Sequence, residues 1–304
     1  IEFYQKSIDI DLDNKEAYFN MGSIYYQNEN YDKAIESYQK ALEIDSKYAD
    51  VYYYMGLTYS KKDNESKAIE CYQKTITIDP NYSEAYYEMG SIYEKKDNYK
   101  AIECFEKAVN INPEYEEAYS SMGSAYSDEE RYHEAIECFE KAIYIDPSAT
   151  WNLNFLISAY RHTNNQDKII ECYIKLIEND KKNVFPGLFL GTNYIRLGRA
   201  YFMKDNYDKA IECYKKAIEI DPNDVSVFYA LATGYYMKSD WDKAIEYLQK
   251  VIEINPDNVN AYYYLGFSLG NKGMYAKAEA SLIIAARLGH KDAQDFLKEN
   301  GVSW

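Results

Sequence analysis

A phrase that returns about every 34 residues limits the fold of this chain more tightly than any other feature. It reads NYDKAIECYKKAIEIDPND at 206–224, NYKAIECFEKAVNINPE at 98–114 and RYHEAIECFEKAIYIDPSA at 131–149. A second phrase precedes it, as AYYEMGSIY (85–93), AYSSMGSAY (118–126) and AYYYLGFSL (261–269). Both place apolar residues at i, i+3, i+4 and i+7, the spacing of an amphipathic helix. Asp97-Asn98 and Asp205-Asn206 stand where the second helix needs an N-cap. Asp-Pro at 79–80, 146–147 and 221–222 stops that helix, because proline pushes the residue before it out of the α region. Each unit is therefore predicted to be a helix hairpin. One hairpin cannot bury its apolar face alone, so the units must stack.

The unit that starts at 83 carries Tyr86, Met89, Gly90, Tyr93, Ala101, Phe105, Ala108 and Pro113. This pattern resembles the tetratricopeptide repeat. Units start at 15, 49, 83, 116, 150, 191, 225 and 259, after a remnant of a truncated repeat over 1–14. Gly289 marks a stop, and a capping helix is expected over about 291–300, with Ala293, Phe296 and Leu297 on one face. The resemblance implies an all-α, right-handed superhelical solenoid over 1–304. In that fold the first helices line the concave groove. The unit at 150 departs from the pattern, with Ile157 for glycine, Ile169 and Leu176 for the alanines and Lys181 for proline. Seven extra residues (184–190) follow it, either as a helix extension or as a flap that carries Phe185 and Phe189 over the groove.

Chemistry of other kinds finds little footing. Cys71, Cys104, Cys138, Cys172 and Cys213 all fall at the twenty-third repeat position. Neighbouring repeats hold them roughly 8–10 Å apart, the spacing of packed helices. That exceeds the roughly 7 Å that a disulfide tolerates between Cα atoms and the reach of a shared zinc ion. They read as packing residues, with no metal, and as unpaired thiols they point to a reducing, cytoplasmic setting. His133, His162 and His290 occupy unrelated repeat positions, so neither catalysis nor a cofactor is expected. No run is long and apolar enough for a membrane span. The net charge is −16, and all of it lies in residues 1–149, with 15 Lys+Arg against 31 Asp+Glu. That field disfavours nucleic acid and anionic membranes.

A protein or peptide partner remains, and the resemblance places it in the groove. First-helix positions 2, 5, 6, 9, 12 and 13 typically face the groove in this family. Position 5 is largely aromatic, with Tyr53, Tyr87, Tyr229 and Tyr263, and Asn154 and Phe155 occupy positions 5 and 6 of the irregular unit. Of five arginines, Arg161, Arg196 and Arg199 take groove positions in adjoining units, with His162 beside the first. A guanidinium grips carboxylate or phosphate at two points, so an anion site is expected here for an acidic group of the partner. The clamp by which some members hold acidic chaperone tails is not supplied by any three consecutive units. A recruiting module of a larger enzyme and self-association through exposed repeat ends are the other readings.

Overall fold

The computed structural model describes residues 2–182 and 189–304. Among the described residues all regular structure is helical, and the chain forms two compact units, Ile1–Ala159 and Tyr160–Trp304. In the first, α1 (Glu2–Ile10) precedes the hairpins α2 (Lys15–Gln27) with α3 (Tyr31–Ile44) and α4 (Ala49–Lys61) with α5 (Glu65–Ile78). Then come α6 (Ser83–Tyr93) with α7 (Asn98–Ile111), and α8 (Glu116–Asp128) with α9 (Tyr132–Ile145). The unit boundary falls inside α10 (Thr150–His162), and α11 (Gln166–Lys182) follows it. The second unit continues with α12 (Leu190–Phe202), α13 (Tyr207–Ile220), α14 (Val225–Met237) and α15 (Trp241–Ile254). It ends with α16 (Val259–Asn271), α17 (Tyr275–Arg287) and α18 (Lys291–Glu299).

The helix ends follow local chemistry. Asp97 accepts a hydrogen bond from the Lys100 amide and Asn206 one from the Lys209 amide, each satisfying an orphan donor of the first turn. At the other end Asp79, Asp146 and Asp221 take extended ψ angles of 97°, 93° and 95° ahead of proline, and the helix stops. In α11 that stop is missing. Lys181 and Lys182 are good helix formers, so α11 runs to 17 residues where α9 and α13 have 14. The choice between flap and extension for the following insert, and with it Phe185, lies outside the described residues. Phe189 is described and lies exposed at the start of α12.

Within a hairpin the helices meet through glycine. A Cβ on Gly90 would lie 2.5 Å from the ring of Phe105, and one on Gly56 equally close to Tyr72. Glycine is thus what lets a large ring cross the hairpin axis. The alanines beside these contacts, Ala68, Ala101 and Ala108 among them, are fully buried. Between hairpins the core is continuous: Ala34, Tyr38 and Ala41 of α3 share one cluster with Val51 and Met55 of α4 and Cys71 of α5. Lysines at the turns reach back to acids of the preceding hairpin, as in Lys62–Asp32, Lys204–Asp167, Lys238–Asp208 and Lys272–Asp242. These pairs are exposed on at least one side and contribute little each.

The cysteines belong to this packing. All five are buried, and desolvation pushes the thiols of Cys71 and Cys138 up to about 12 and those of Cys104 and Cys213 to about 11. A thiol held protonated is a poor nucleophile. At the C-terminal end Gly289 turns the chain at φ +99°, the His290 ring accepts from the Ala293 amide at 3.4 Å, and α18 buries Ala293 and Leu297. Phe296 stays 38% exposed, edge-on to Phe267 at 5.3 Å.

Candidate ligand-binding site

Arg161 closes the last turn of α10, while Arg196 and Arg199 lie one turn apart on α12. The structure brings all three to one open cavity of about 430 Å³ in the second unit. Its floor is made by Ile169 and Tyr173 of α11 and Ala200 of α12. Gln166 donates to the Ala200 carbonyl at 3.1 Å and so ties the start of α11 to α12. Arg161 donates through Nη2 to the Tyr173 hydroxyl at 2.6 Å, which fixes its guanidinium against a ring that is only 2% exposed. Arg196 and Arg199 are exposed. Among the described residues no carboxylate comes within ion-pair distance of any of the three guanidiniums, so their charge faces the cavity uncompensated.

Arg199 and Met203 also border a second cavity, of about 770 Å³. Phe202, Tyr214, Val225, Tyr229 and Ala230 give it an apolar wall, and Thr233, Asn258 and Asn260 a polar rim. Burial pushes the Tyr214 hydroxyl up to about 12 against the opposing field of Arg199. Tyr229 is pushed up to about 12 as well, by burial and then by Tyr264. Both phenols therefore stay neutral donors near neutral pH. The two cavities together offer fixed positive charge beside an apolar recess, an arrangement suited to an acidic group next to a bulky side chain.

The remaining sequence candidates lie elsewhere. His162 is exposed on α10 and lines neither cavity. Asn154 and Phe155 belong to the first unit, where Asn154 donates to the Thr150 carbonyl at 3.4 Å and Phe155 stacks on Phe139 at 5.5 Å. Tyr53 packs on Tyr82 at 4.9 Å and Tyr87 on Tyr115 at 5.0 Å. Tyr263 stacks on the His290 ring at 4.0 Å, nearly parallel. In each case the fifth-position tyrosine is half-buried against a ring that precedes a following helix. Tyr48, Tyr82 and Tyr115 themselves begin α4, α6 and α8 without any side-chain cap. An aromatic contact there replaces the capping hydrogen bond, and the two are of similar worth, about 1 kcal/mol.

Sequence reasoning missed Phe202, Met203, Ser226 and Asn260, which border the larger cavity. They sit at positions 12, 13, 2 and 2 of their units, so the position rule that selected the arginines would also have found them. Their side chains carry no distinctive chemistry, and nothing else in the sequence drew attention to them.

Models described as TPR repeat match residues 22–63, 93–129, 198–239 and 234–273. Models described as Tetratricopeptide repeat match 49–82, 116–149 and 71–103. No curated protein sequence matches the chain. Among solved structures, MamA is 28% identical with a TM-score of 0.51, over 55% of this chain and 92% of MamA. The C-terminal part of a TPR repeat-containing protein from Cytophaga hutchinsonii is 21% identical with a TM-score of 0.63, over 76% of this chain and 92% of that one. YrrB, described as a TPR protein with an unusual peptide-binding site, is 21% identical with a TM-score of 0.51, over 65% of this chain and 99% of its own. With glycine-locked hairpins in both units and repeat models matched along both, the chain belongs to the tetratricopeptide repeat family of protein-interaction scaffolds.

Proposed function

We propose that this chain is a non-catalytic scaffold that holds an acidic segment of a partner protein against Arg161, Arg196 and Arg199. The observation that carries this reading is the convergence of three guanidiniums, free of ion pairs to described residues, on one cavity. A carboxylate seated there gains charge-assisted hydrogen bonds without having to displace a native counter-charge. The adjoining apolar cavity accepts a neighbouring side chain of the same segment. The five buried thiols fit a packing role in a reducing compartment such as the cytoplasm.

Fluorescein-labelled octaglutamate serves as the probe, read by anisotropy. Arg199→Glu is expected to weaken its binding about tenfold or more, since reversal adds repulsion to a lost attraction. The side chain is exposed, so the helical circular dichroism should not change. Equal affinity of the wild type and the variant would remove the proposal.

A further inference from the structure

The hairpin of α16 and α17 lacks a contact that three other repeats keep. In those repeats the twelfth residue sets a ring against the ring that opens the second helix. Tyr26 meets Tyr31 at 5.9 Å, Phe202 meets Tyr207 at 5.2 Å and Tyr236 meets Trp241 at 5.4 Å. The ring on the second helix is half-buried in each. In α16 and α17 the corresponding residues are Gly270 and Tyr275, and Tyr275 is left 74% exposed. A Cβ on Gly270 would meet nothing nearer than the Cβ of Ala278 at 3.8 Å, so close packing does not require glycine there.

The missing side chain leaves space. Gly270 and Tyr275 line a cavity of about 360 Å³ between α16, α17 and α18, within the size range of small-molecule sites. Phe267, Leu282, Phe296 and Leu297 form its apolar wall, and the two phenylalanines meet edge-on at 5.3 Å. Asn271, Glu279 and Asn300 add an exposed polar rim. Asn271 donates through Nδ2 to the Phe267 carbonyl at 2.9 Å, and Asn300 to the Phe296 carbonyl at 2.7 Å. Among the described residues nothing donates to either Oδ1 or to the Glu279 carboxylate, so the rim offers acceptors.

We propose that this recess binds a small planar aromatic molecule with an N–H donor, indole being the simplest. Its ring takes the place of the side chain that Gly270 lacks. Aromatic walls favour such a ring beyond the area it buries, and the donor answers the oxygens of the rim. Walls from three helices suit a single ring system better than an extended chain. The cavity shares no residue with the two around the arginines, so this site stands independently of the scaffold reading.

Indole fluorinated on its benzene ring is the probe on the intact chain, titrated by fluorine NMR. Saturable binding is expected. Gly270→Phe restores the residue that α12 carries at this position and should weaken binding at least about tenfold by filling the recess. Should that variant lose its helical circular dichroism, Tyr275→Ser decides in its place. Removing this exposed ring should weaken binding about fivefold, while Tyr99→Ser, exposed on α7, should leave it unchanged. Fluoronaphthalene has a similar shape without the N–H and should bind about tenfold more weakly. The proposal is overturned by the absence of saturable binding, by equal effects of Tyr275→Ser and Tyr99→Ser, or by equal affinity for the two rings. Unchanged affinity in a folded Gly270→Phe would overturn it too. N-acetyltryptophanamide that binds more tightly than the free indole would assign the recess to a partner's side chain, again against the proposal.

Discussion

At the scale of the residue, the sequence is economical with large rings and makes room for them with glycine. The eighth and twenty-fourth positions of a repeat are one contact: Gly90 with Phe105, Gly123 with Phe139 and Gly198 with Tyr214. Where the twenty-fourth position is the smaller Leu248, the eighth is Ala232, and both are fully buried in one cluster. This pairing predicts that Gly90→Ala costs about 1–3 kcal/mol through overpacking against Phe105. Gly90→Ala combined with Phe105→Leu should recover part of that loss, because it recreates the alternative pair. Urea denaturation of the two variants checks the coupling, and simple additivity would show the contact to be irrelevant. Tyrosines follow the same structural logic. Lys40, Lys74 and Lys107 lie over Tyr18, Tyr52 and Tyr86 at 5.9, 5.3 and 5.7 Å, so many of the 36 tyrosines are engaged within their own hairpin. A periodicity argument assigns such residues a face. It does not show that Tyr53 and Tyr87 meet Tyr82 and Tyr115, rings contributed from the far end of the repeat.

At the scale of the element, the turn between the two helices of a hairpin carries the strain. Glu29, Asp63, Glu130, Asn164, Asp205 and Ser239 all adopt φ between 54° and 59°, each just before a second helix. Left-handed backbone is costly for residues with a Cβ, and asparagine tolerates it best. Glu130→Gly is therefore expected to stabilise the chain by about 0.5 kcal/mol, the relieved strain exceeding the added freedom of the unfolded chain. Asn164→Gly should be close to neutral. Thermal denaturation of the two variants makes the comparison, and a loss for Glu130→Gly would contradict the argument. The third hairpin has a turn one residue shorter, and there no left-handed residue occurs between α6 and α7. The hairpins were legible in the sequence because helix period, N-cap and proline stop all agree within each unit. The run-on of α11 was legible only as the absence of a stop at Lys181. Its consequence was not: Asp180 stays helical and accepts from Asn193 of α12 at 2.8 Å, a contact that no local rule foresees. The arginine cavity, by contrast, followed from position alone, since Arg161, Arg196 and Arg199 are set on their helices by the same count that sets the apolar faces.

At the scale of the whole molecule, charge is partitioned along the chain, with every excess acid in the first unit. Several of those acids are held away from water. Burial raises Glu88, Glu94 and Glu116 above the ordinary carboxylate value, with Asp128 adding to Glu94. Glu116 is the most enclosed, 8% exposed and bound by the Asn152 amide, which Ser120 in turn holds at 2.7 Å. A carboxyl raised in the folded state takes up its proton more readily there than in the unfolded chain. Its favourable contribution is complete below the unfolded value near 4.5 and is lost as pH rises through the higher folded value. Acids lowered by pairing, such as Glu65 beside Lys96 and Asp45 beside Lys15, act in the opposite sense. They weaken the fold only as pH falls below their ordinary values, 4.5 and 3.8. As pH falls from neutrality toward the ordinary value of 4.5 the first group dominates, and protonation also eases the self-repulsion of the acidic unit. The melting temperature should therefore rise as pH is lowered through that interval. The slope should be shallower in Glu88→Gln combined with Glu94→Gln, which no longer take up those protons. A melting temperature that falls over the same interval would contradict the uptake of protons by these buried acids in the folded chain.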